Sequence, residues 1–114
     1  MAIEYVDVSE DFRRISLSGR LDTLGSEEIA NKFAVLAASA KRRVIVDLTD
    51  VTFLSSMGIR ALVANAKAQQ NRGGRMVLLV GSNTAIVKTL DATGIDTLIP
   101  MFADPSEAEK AALA

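Results

Sequence analysis

Residues 44–62 read VIVDLTDVTFLSSMGIRAL, and the predicted fold is organised around this stretch. Its first five side chains, 44–48, are nearly all apolar, as is typical of a central strand that is covered on both faces. A short loop follows and leads to Ser55 and Ser56, where an amphipathic helix is predicted to begin. The first N–H groups of a helix have no partners inside the helix, so the backbone there favours negative charge. The stretch therefore predicts a strand, a loop and a helix that presents serine hydroxyls at its start.

The segment before this stretch is predicted to form a β-hairpin and a helix. Residues 3–8 and 12–20 are rich in β-forming side chains of alternating polarity, and a polar turn separates them. Residues 26–40 have apolar side chains at helical spacing, and Ser26 is the predicted N-cap because two glutamates follow it. The basic residues 41–43 are expected to complement the dipole at the C-terminus of this helix, and a small phosphate-binding patch is the alternative.

The segment after this stretch alternates between helices and strands. The second helix is predicted from Ser56 to about residue 71, where a pair of glycines ends it. The remaining predicted elements are a buried strand at 76–80, a helix capped by 81–83 and stopped by Gly94, an edge strand at 97–100 and a helix at 105–113. Helices between strands require crossover connections, which make neighbouring strands parallel. The prediction is a single α/β domain over residues 1–114, with the order β-β-α-β-α-β-α-β-α, a mixed sheet and an N-terminal antiparallel hairpin.

The composition excludes several classes of function. The 114 residues include no cysteine and no histidine, which excludes disulfides, thiol nucleophiles, Cys/His zinc sites and histidine-dependent catalytic triads. The formal net charge is −1, so no overall field attracts nucleic acid or an anionic membrane. Neither a signal-peptide pattern nor an apolar run of membrane-spanning length is present. We expect a soluble, cytoplasmic protein that is not an enzyme, that holds no metal or cofactor, and that neither binds nucleic acid directly nor inserts into a membrane.

One face of the second helix is predicted to contact a partner. On a helical wheel, four apolar side chains gather on the core side: Ile59, Leu62, Val63 and Ala66. The opposite side carries methionine and alanine where charged residues would be usual: Met57, Ala61, Ala64 and Ala68, flanked by Arg60 and Lys67. Small and apolar side chains on an exposed face indicate a surface that a partner approaches closely. The alternative is that alanine occurs there only because it is the best helix former.

Ser55 and Ser56 allow two interpretations. In the first, a serine caps the helix by accepting a first-turn N–H, and no further function is needed. In the second, a serine is phosphorylated, which adds about −1.5 to −2 charges at the start of a partner-facing helix. Arg60, four residues after Ser56, then partly neutralises that charge. Nucleophilic catalysis is not expected, because the chain has neither a Gly-x-Ser-x-Gly elbow nor a histidine base.

Three segments of the chain resemble one protein family. Residues 47–60, DLTDVTFLSSMGIR, resemble the signature loop of STAS domains, and specifically that of the bacterial anti-sigma factor antagonists. Residues 19–22, GRLD, resemble that family's turn after the second strand, and residues 93–96, TGID, resemble its turn after the third helix. The resemblance covers nearly the whole chain, and the family fold agrees with the element order predicted above.

The resemblance implies a binding switch that phosphorylation controls. In this family the unphosphorylated antagonist binds an anti-sigma factor that is also a serine kinase, which releases a sigma factor. The kinase then phosphorylates the antagonist, and a PP2C-type phosphatase reverses the reaction. Matching the motifs residue by residue places the phosphoacceptor on Ser56 and puts Asp22 on the family's turn aspartate, near the kinase interface. Together with the helical wheel, this gives the expected partner-binding residues Asp22, Met57, Arg60, Ala61 and Ala64.

Two positions depart from the family pattern and leave alternatives open. Ser55 stands where the family often has an aspartate, and Met57 stands where it often has a serine or threonine. Ser55 is therefore an alternative phosphoacceptor. The alternative function is a constitutive adaptor subunit of a signalling or membrane-transport complex, in which both serines are only caps and contacts. Direct nucleotide binding is a third hypothesis, which the lack of a phosphate-binding loop or a Gly-x-Gly-x-x-Gly pattern disfavours.

Overall fold

The computed structural model describes residues 3–38 and 43–114, and its elements follow the predicted order. The strands and helices are β1 (Ile3–Ser9), β2 (Phe12–Leu21), α1 (Thr23–Ala37), β3 (Arg43–Leu54), α2 (Ser56–Asn71), β4 (Arg75–Leu79), α3 (Thr84–Thr93), β5 (Met101–Phe102) and α4 (Pro105–Leu113). A short 3-10 turn, Ile95–Thr97, follows α3. The predicted fold class, a mixed α/β domain that begins with an antiparallel hairpin, is confirmed.

The described strands form one sheet in the order β1-β2-β3-β4-β5. β1 and β2 pair in antiparallel fashion, and each later pair is parallel. The main core lies on one face of the sheet, where it includes Phe33 of α1, Leu62 of α2 and Leu90 of α3. On the other face, α4 covers a smaller apolar cluster that includes Ile45. Because parallel strands end at the same edge of a sheet, the starts of the helices that follow them also meet at that edge.

The first helix begins earlier than predicted, at Thr23. Its N-cap is Asp22 and not Ser26: the Asp22 carboxylate accepts a hydrogen bond from the Gly25 N–H at 2.8 Å. The prediction was wrong because a serine followed by two glutamates has the composition of a helix start, whereas Ser26 is a buried residue inside the helix. The position of Asp22 directly after β2 decides where the helix begins.

The third strand is longer than predicted, since residues 49–54, predicted as a loop, continue β3 beside β2. The register between the two strands shifts twice. Apolar side chains therefore do not alternate regularly in this segment. Val51 and Leu54 are both buried although they are three positions apart, a spacing that would put them on opposite faces of a regular strand. This irregular spacing explains why the segment does not read as a strand in the sequence. As a result, only Ser55 separates β3 from α2.

The predicted edge strand at 97–100 is wrong. Residues Ile95–Thr97 form the 3-10 turn, and the edge strand is the shorter β5, which pairs with β4 through Leu78 and Met101. Ile95 and Ile99 are both buried in the main core. Thr97, which lies between them, is exposed. In a strand, residues 95, 97 and 99 would share one face, so this burial pattern fits a helical turn and not a strand.

The other helix boundaries agree with the prediction. α2 runs over Ser56–Asn71, Asn83 caps α3, and Asp104 caps α4. α3 ends at Gly94, whose left-handed backbone (φ 72°) suits a residue without a side chain. Residues 39–42, which include the predicted end of the first helix and most of the basic run, lie outside the described residues. In the part of the chain that the structure describes, no helix is long and apolar enough to cross a membrane.

Candidate functional site

Two helix starts lie side by side at one edge of the sheet. β2 and β3 are parallel neighbours that pair Leu21 with Leu54, and the Ser55 N–H donates to the Leu21 carbonyl oxygen at 2.8 Å. Asp22 and Ser55 each come directly after a strand, and each caps the helix that follows. The sheet therefore fixes the starts of α1 and α2 relative to each other.

The two adjacent serines have different environments. Ser55 is half-buried and is the N-cap of α2: its hydroxyl oxygen accepts the Gly58 N–H at 3.3 Å and lies 3.3 Å from the Ser26 hydroxyl oxygen. Ser56 is the first residue of α2 and is exposed. Within residues 3–38 and 43–114, the Ser56 hydroxyl has no hydrogen-bond partner. Capping therefore belongs to Ser55, and Ser56 presents an available hydroxyl at a position that favours negative charge.

Two glycines allow the helix starts to pack closely. A Cβ atom on Gly58 would lie 2.7 Å from Leu54 Cδ1 and 3.1 Å from the Ser26 hydroxyl oxygen, so α2 approaches α1 without an intervening side chain. A Cβ atom on Gly25 would overlap the Arg20 carbonyl oxygen, which is part of the β2 backbone. Neither position tolerates a larger residue without a shift of its neighbours. Gly58 therefore sets the distance between α2 and α1, and Gly25 allows α1 to begin close to the end of β2.

An ion pair and an aromatic contact surround Asp22. Arg20 Nε lies 3.3 Å from Asp22 Oδ2, and the Arg20 guanidinium lies 4.4 Å from the centre of the Phe53 ring. Phe53 is 41% exposed, and Leu24, in the first turn of α1, is 65% exposed. The sequence pattern alone does not predict a contact role for Arg20, Phe53 or Leu24. Arg20 and Phe53 are paired by the register between β2 and β3. The irregular spacing of apolar residues in this part of β3 gives no sign of that register in the sequence.

The exposed face of α2 is narrower than predicted. Met57 is 36% exposed, and Arg60 and Ala64 are also exposed. Ala61, which the helical wheel placed opposite the core, packs instead against the main core and lines a small cavity between α1 and α2 together with Ala30. The wheel failed at this position because α2 packs against α1 as well as against the sheet. Of the predicted contact stripe, Met57 and Ala64 remain at the surface next to Arg60.

The predicted core side of α2 is only partly enclosed. Leu62 is buried, whereas Ile59, Val63 and Ala66 are half-buried and pack against the main core. Ala68, which was predicted on the far side, is half-buried as well.

Asp47, the first residue of the signature-like stretch, has a structural role. Its carboxylate accepts hydrogen bonds from Arg14 Nη2 at 2.6 Å, from the Thr49 N–H at 2.9 Å and from the Thr49 hydroxyl at 2.7 Å. Burial alone would raise the pKa of Asp47, but these hydrogen bonds together outweigh burial and hold the pKa below its usual value. The Asp47 carboxylate is thus already engaged inside the protein. Among the acidic residues of the described ranges, no three side chains form a group that could hold a metal ion.

Asn83 connects α3 to the irregular part of β3. Its Nδ2 donates to the carbonyl oxygens of Leu48 and Val51, at 3.1 and 2.7 Å. Its Oδ1 accepts the Ile86 N–H at 3.4 Å and so caps α3. The sequence predicted the cap but not the bonds to β3, because those depend on where the strand bends. Asn83 therefore supports the segment that leads to the two serines.

Solved structures of other proteins share this architecture. An anti-sigma-factor antagonist (STAS) domain protein from Planctomyces limnophilus is 30% identical, with 98% of each chain covered and a TM-score of 0.81. An anti-sigma factor antagonist from Mycobacterium paratuberculosis is 20% identical over 98% of this chain and 93% of its own, with a TM-score of 0.87. The Bacillus cell fate determinant SpoIIAA in its phosphorylated form is 22% identical over 96% of this chain and 98% of its own, with a TM-score of 0.70.

The family comparison agrees with the architecture and with the motifs. The sequence model of the STAS domain matches residues 5–108, which include both helix starts and most of the hairpin. The chain therefore belongs to the STAS domain family.

Proposed function

We propose that this protein is an anti-sigma factor antagonist whose binding to an anti-sigma factor serine kinase is controlled by phosphorylation of Ser56. The observation that carries the proposal is the exposed Ser56 hydroxyl at the first position of α2, beside a serine that already caps the helix. The Planctomyces limnophilus relative, an anti-sigma-factor antagonist domain protein, supports the general role over the whole chain. SpoIIAA, which has the same fold, supports the switch because it occurs in a phosphorylated form.

The partner would bind a surface around Ser56, which we call the acceptor surface. It consists of the accessible residues at the starts of α1 and α2 and along the exposed side of α2: Asp22, Leu24, Phe53, Ser56, Met57, Arg60 and Ala64. Three of its members are large apolar residues, and their exposed fractions are 65% for Leu24, 41% for Phe53 and 36% for Met57. Aromatic residues, methionine and arginine are enriched in protein interfaces, so this composition suits a specific partner.

Phosphorylation would weaken this interface without a change of fold. A phosphate adds about −1.5 to −2 charges and three acceptor oxygens. At the free surface, the N-terminus of α2 tolerates this charge because its N–H groups point outward. In the complex, the same phosphate would lose its hydration and face the carboxylates of a kinase active site, which repel it. The partner would therefore release the phosphorylated protein, and a PP2C-type phosphatase would restore binding in the cytoplasm.

The test uses Ser56→Ala as bait for a partner from the native cell, followed by phosphoryl transfer with ATP. We expect Ser56→Ala to retain a protein that phosphorylates the wild type on Ser56 but does not modify the bait. Ser56→Asp, which mimics the charge, should bind the same protein at least about tenfold more weakly, as expected for a misplaced interfacial charge. Ser82→Ala is the matched control, because Ser82 is an exposed serine next to the start of α3.

Two results would contradict the proposal. If the captured protein transfers phosphate to Ser56→Ala as readily as to the wild type, the acceptor assignment is wrong. If intact-mass analysis of the protein from its native cell never finds a phosphorylated population, a constitutive adaptor role replaces the switch.

A further inference from the structure

A chain of hydroxyl groups connects the starts of α1 and α2 beneath the acceptor surface. The Ser26 hydroxyl oxygen lies 3.2 Å from the Leu21 carbonyl oxygen and 3.3 Å from the Ser55 hydroxyl oxygen. The Ser55 hydroxyl oxygen in turn accepts the Gly58 N–H at 3.3 Å. Ser26 is only 3% exposed, so solvent does not compete with the Ser26 hydrogen bonds. Hydrogen bonds thus run without a break from Gly58 in α2 to Leu21 in β2.

The chemistry of the partners gives this chain a single direction. A carbonyl oxygen can only accept a hydrogen bond, so the one hydroxyl hydrogen of Ser26 is donated to Leu21. The hydrogen between the two hydroxyls must then come from Ser55. The Gly58 N–H can only donate, so it occupies a lone pair of the Ser55 oxygen. Ser55 therefore has its only hydrogen and one lone pair committed inside the protein.

We infer that Ser26 is the positioning residue that makes Ser56, and not Ser55, the phosphoacceptor. The inference rests on the proposed function and adds the reason why one of two adjacent hydroxyls is used. Ser26 does not touch the nucleotide or the kinase, because it is buried beneath the acceptor surface. It acts by receiving the hydrogen of the competing hydroxyl.

Phosphoryl transfer requires the attacking hydroxyl to give up its hydrogen, so the hydrogen bond from Ser55 to Ser26 opposes transfer to Ser55. The attacking serine oxygen forms a bond to the γ-phosphorus of a nucleoside triphosphate, while the bond from that phosphorus to the β–γ bridging oxygen breaks and the nucleoside diphosphate leaves. The hydroxyl proton passes to a carboxylate of the kinase. Ser55 can follow this course only if it turns its hydrogen away from Ser26, and the oxygen that attacks is then the same one that accepts the Gly58 N–H as the cap of α2. For Ser56, the described residues impose no such cost.

The packing around Ser26 holds the hydrogen-bonded hydroxyl groups in place. A Cβ atom added to Gly58 would lie 3.1 Å from the Ser26 hydroxyl oxygen, so the α2 backbone closes over this hydroxyl. The Ser55 N–H is also fixed, since it donates to the same Leu21 carbonyl oxygen at 2.8 Å. Both ends of the hydroxyl chain are thus anchored on backbone that belongs to the sheet or to the first turn of α2.

The test measures which serine receives phosphate when Ser56 is absent. The captured kinase and ATP are incubated with Ser56→Ala and with the double variant Ser26→Ala/Ser56→Ala, and fragment mass spectrometry locates the phosphate. We expect no detectable transfer to Ser56→Ala. In the double variant we expect transfer to Ser55 at a rate at least about tenfold above the detection limit, the factor for roughly one hydrogen bond to a constrained group. Transfer to Ser55 while Ser26 is intact would overturn the inference. So would an unmodified double variant when the same kinase modifies the wild type on Ser56.

Two further variants separate the hydroxyl from the stability of α1. Ile29→Val, combined with Ser56→Ala, loosens the core next to Ser26 but keeps the hydroxyl, so Ser55 should stay unmodified. Ser26→Thr, combined with Ser56→Ala, restores a hydroxyl and should again protect Ser55, provided that circular dichroism shows it folded. If Ile29→Val releases Ser55 as Ser26→Ala does, the effect comes from looser packing and the inference fails.

A measurement without any partner separates this inference from the proposed function. Amide hydrogen exchange of Gly58, followed by NMR, should become about fivefold faster in Ser26→Ala, because the cap loses the hydroxyl that orients it. Ser55→Ala should accelerate exchange at Gly58 at least as much, and Ser82→Ala should leave it unchanged. Unchanged exchange in Ser26→Ala would overturn the inference even if the switch exists. A wild type that no captured kinase phosphorylates would overturn the proposed function, while the exchange data still decide whether Ser26 constrains Ser55.

Discussion

α1 and α2 begin in the same way and differ in one chemical group. Each helix follows its strand through a single cap residue, and each cap side chain accepts the N–H of a glycine three residues later. For α1 the cap is the Asp22 carboxylate, with a bond of 2.8 Å, and for α2 it is the Ser55 hydroxyl, with a bond of 3.3 Å. A hydroxyl residue occupies the first helical position in both cases, Thr23 in α1 and Ser56 in α2.

This difference shows which helix start already carries a negative charge and which one can accept a new charge. At α1 a carboxylate supplies the charge that a helix start attracts, and Arg20 lies 3.3 Å from that carboxylate. At α2 the cap is neutral, and its hydroxyl oxygen lies 3.3 Å from the Ser26 hydroxyl oxygen. A phosphate on Thr23 would stand next to Asp22, whereas a phosphate on Ser56 would stand next to a neutral group. Of the two starts, α2 therefore gains more from an added charge.

The largest expected effect concerns the two glycines in the first turns. Gly25→Ala should lower the free energy of unfolding by about 3 kcal/mol, because its Cβ would overlap the Arg20 carbonyl oxygen in the β2 backbone. Gly58→Ala should cost only about 1 kcal/mol, since its Cβ meets the Leu54 side chain, which can rotate, and alanine also favours a helix. Urea denaturation followed by circular dichroism gives both values. A larger loss in Gly58→Ala would mean that α2, and not α1, has the tighter start, and an equal loss would mean that the two starts are equally tight.

A smaller effect is expected from removal of the caps. Asp22→Ala should lower the free energy of unfolding by about 2 kcal/mol and Ser55→Ala by about 1 kcal/mol, because a charged cap makes the shorter and stronger bond. The same denaturation experiment at low and high salt tests the reason, since salt screens the charge of Asp22 and should narrow the gap. A gap that persists at high salt would point to packing and not to charge.

The smallest expected effect comes from a charge at the first helical position. Ser56→Asp should raise the free energy of unfolding by about 0.5 kcal/mol through the helix dipole. Thr23→Asp, the matched variant in α1, should give no gain because it places a second carboxylate beside Asp22. Thermal unfolding at low ionic strength compares the two proteins with the wild type. Equal gains at both positions would remove the distinction between the two helix starts.

The element order and the place of Ser56 at the start of α2 could be predicted from the sequence, because both depend on local patterns. Apolar runs, helical spacing and terminal glycines mark α2, β4 and α3 with boundaries close to those observed. The residues 47–60 carry the resemblance that singled out Ser56. These signals do not require knowledge of which strands are neighbours.

The surroundings of Ser56 could not be predicted, because they depend on the register between β2 and β3. That register shifts twice and pairs Arg20 with Phe53. It also places the Ser26 hydroxyl oxygen 3.3 Å from the Ser55 hydroxyl oxygen. Ser26 looked like a cap because its local composition suits one, yet the strand end at Leu21 moved the cap to Asp22. Long-range pairing thus decided the role of residues whose local sequence indicated something else.

Asn83 has a consequence for how the molecule opens. A single amide group closes the first turn of α3 with its oxygen and binds the Leu48 and Val51 carbonyl oxygens of β3 with its nitrogen. Unravelling of the α3 start would leave those strand carbonyls without this donor, so the two segments should open together as one cooperative unit. β3 leads directly into Ser55 and Ser56. The surface hydroxyl of the proposed switch is therefore attached to a part of the backbone whose local unfolding is coupled to that of a helix beyond the site.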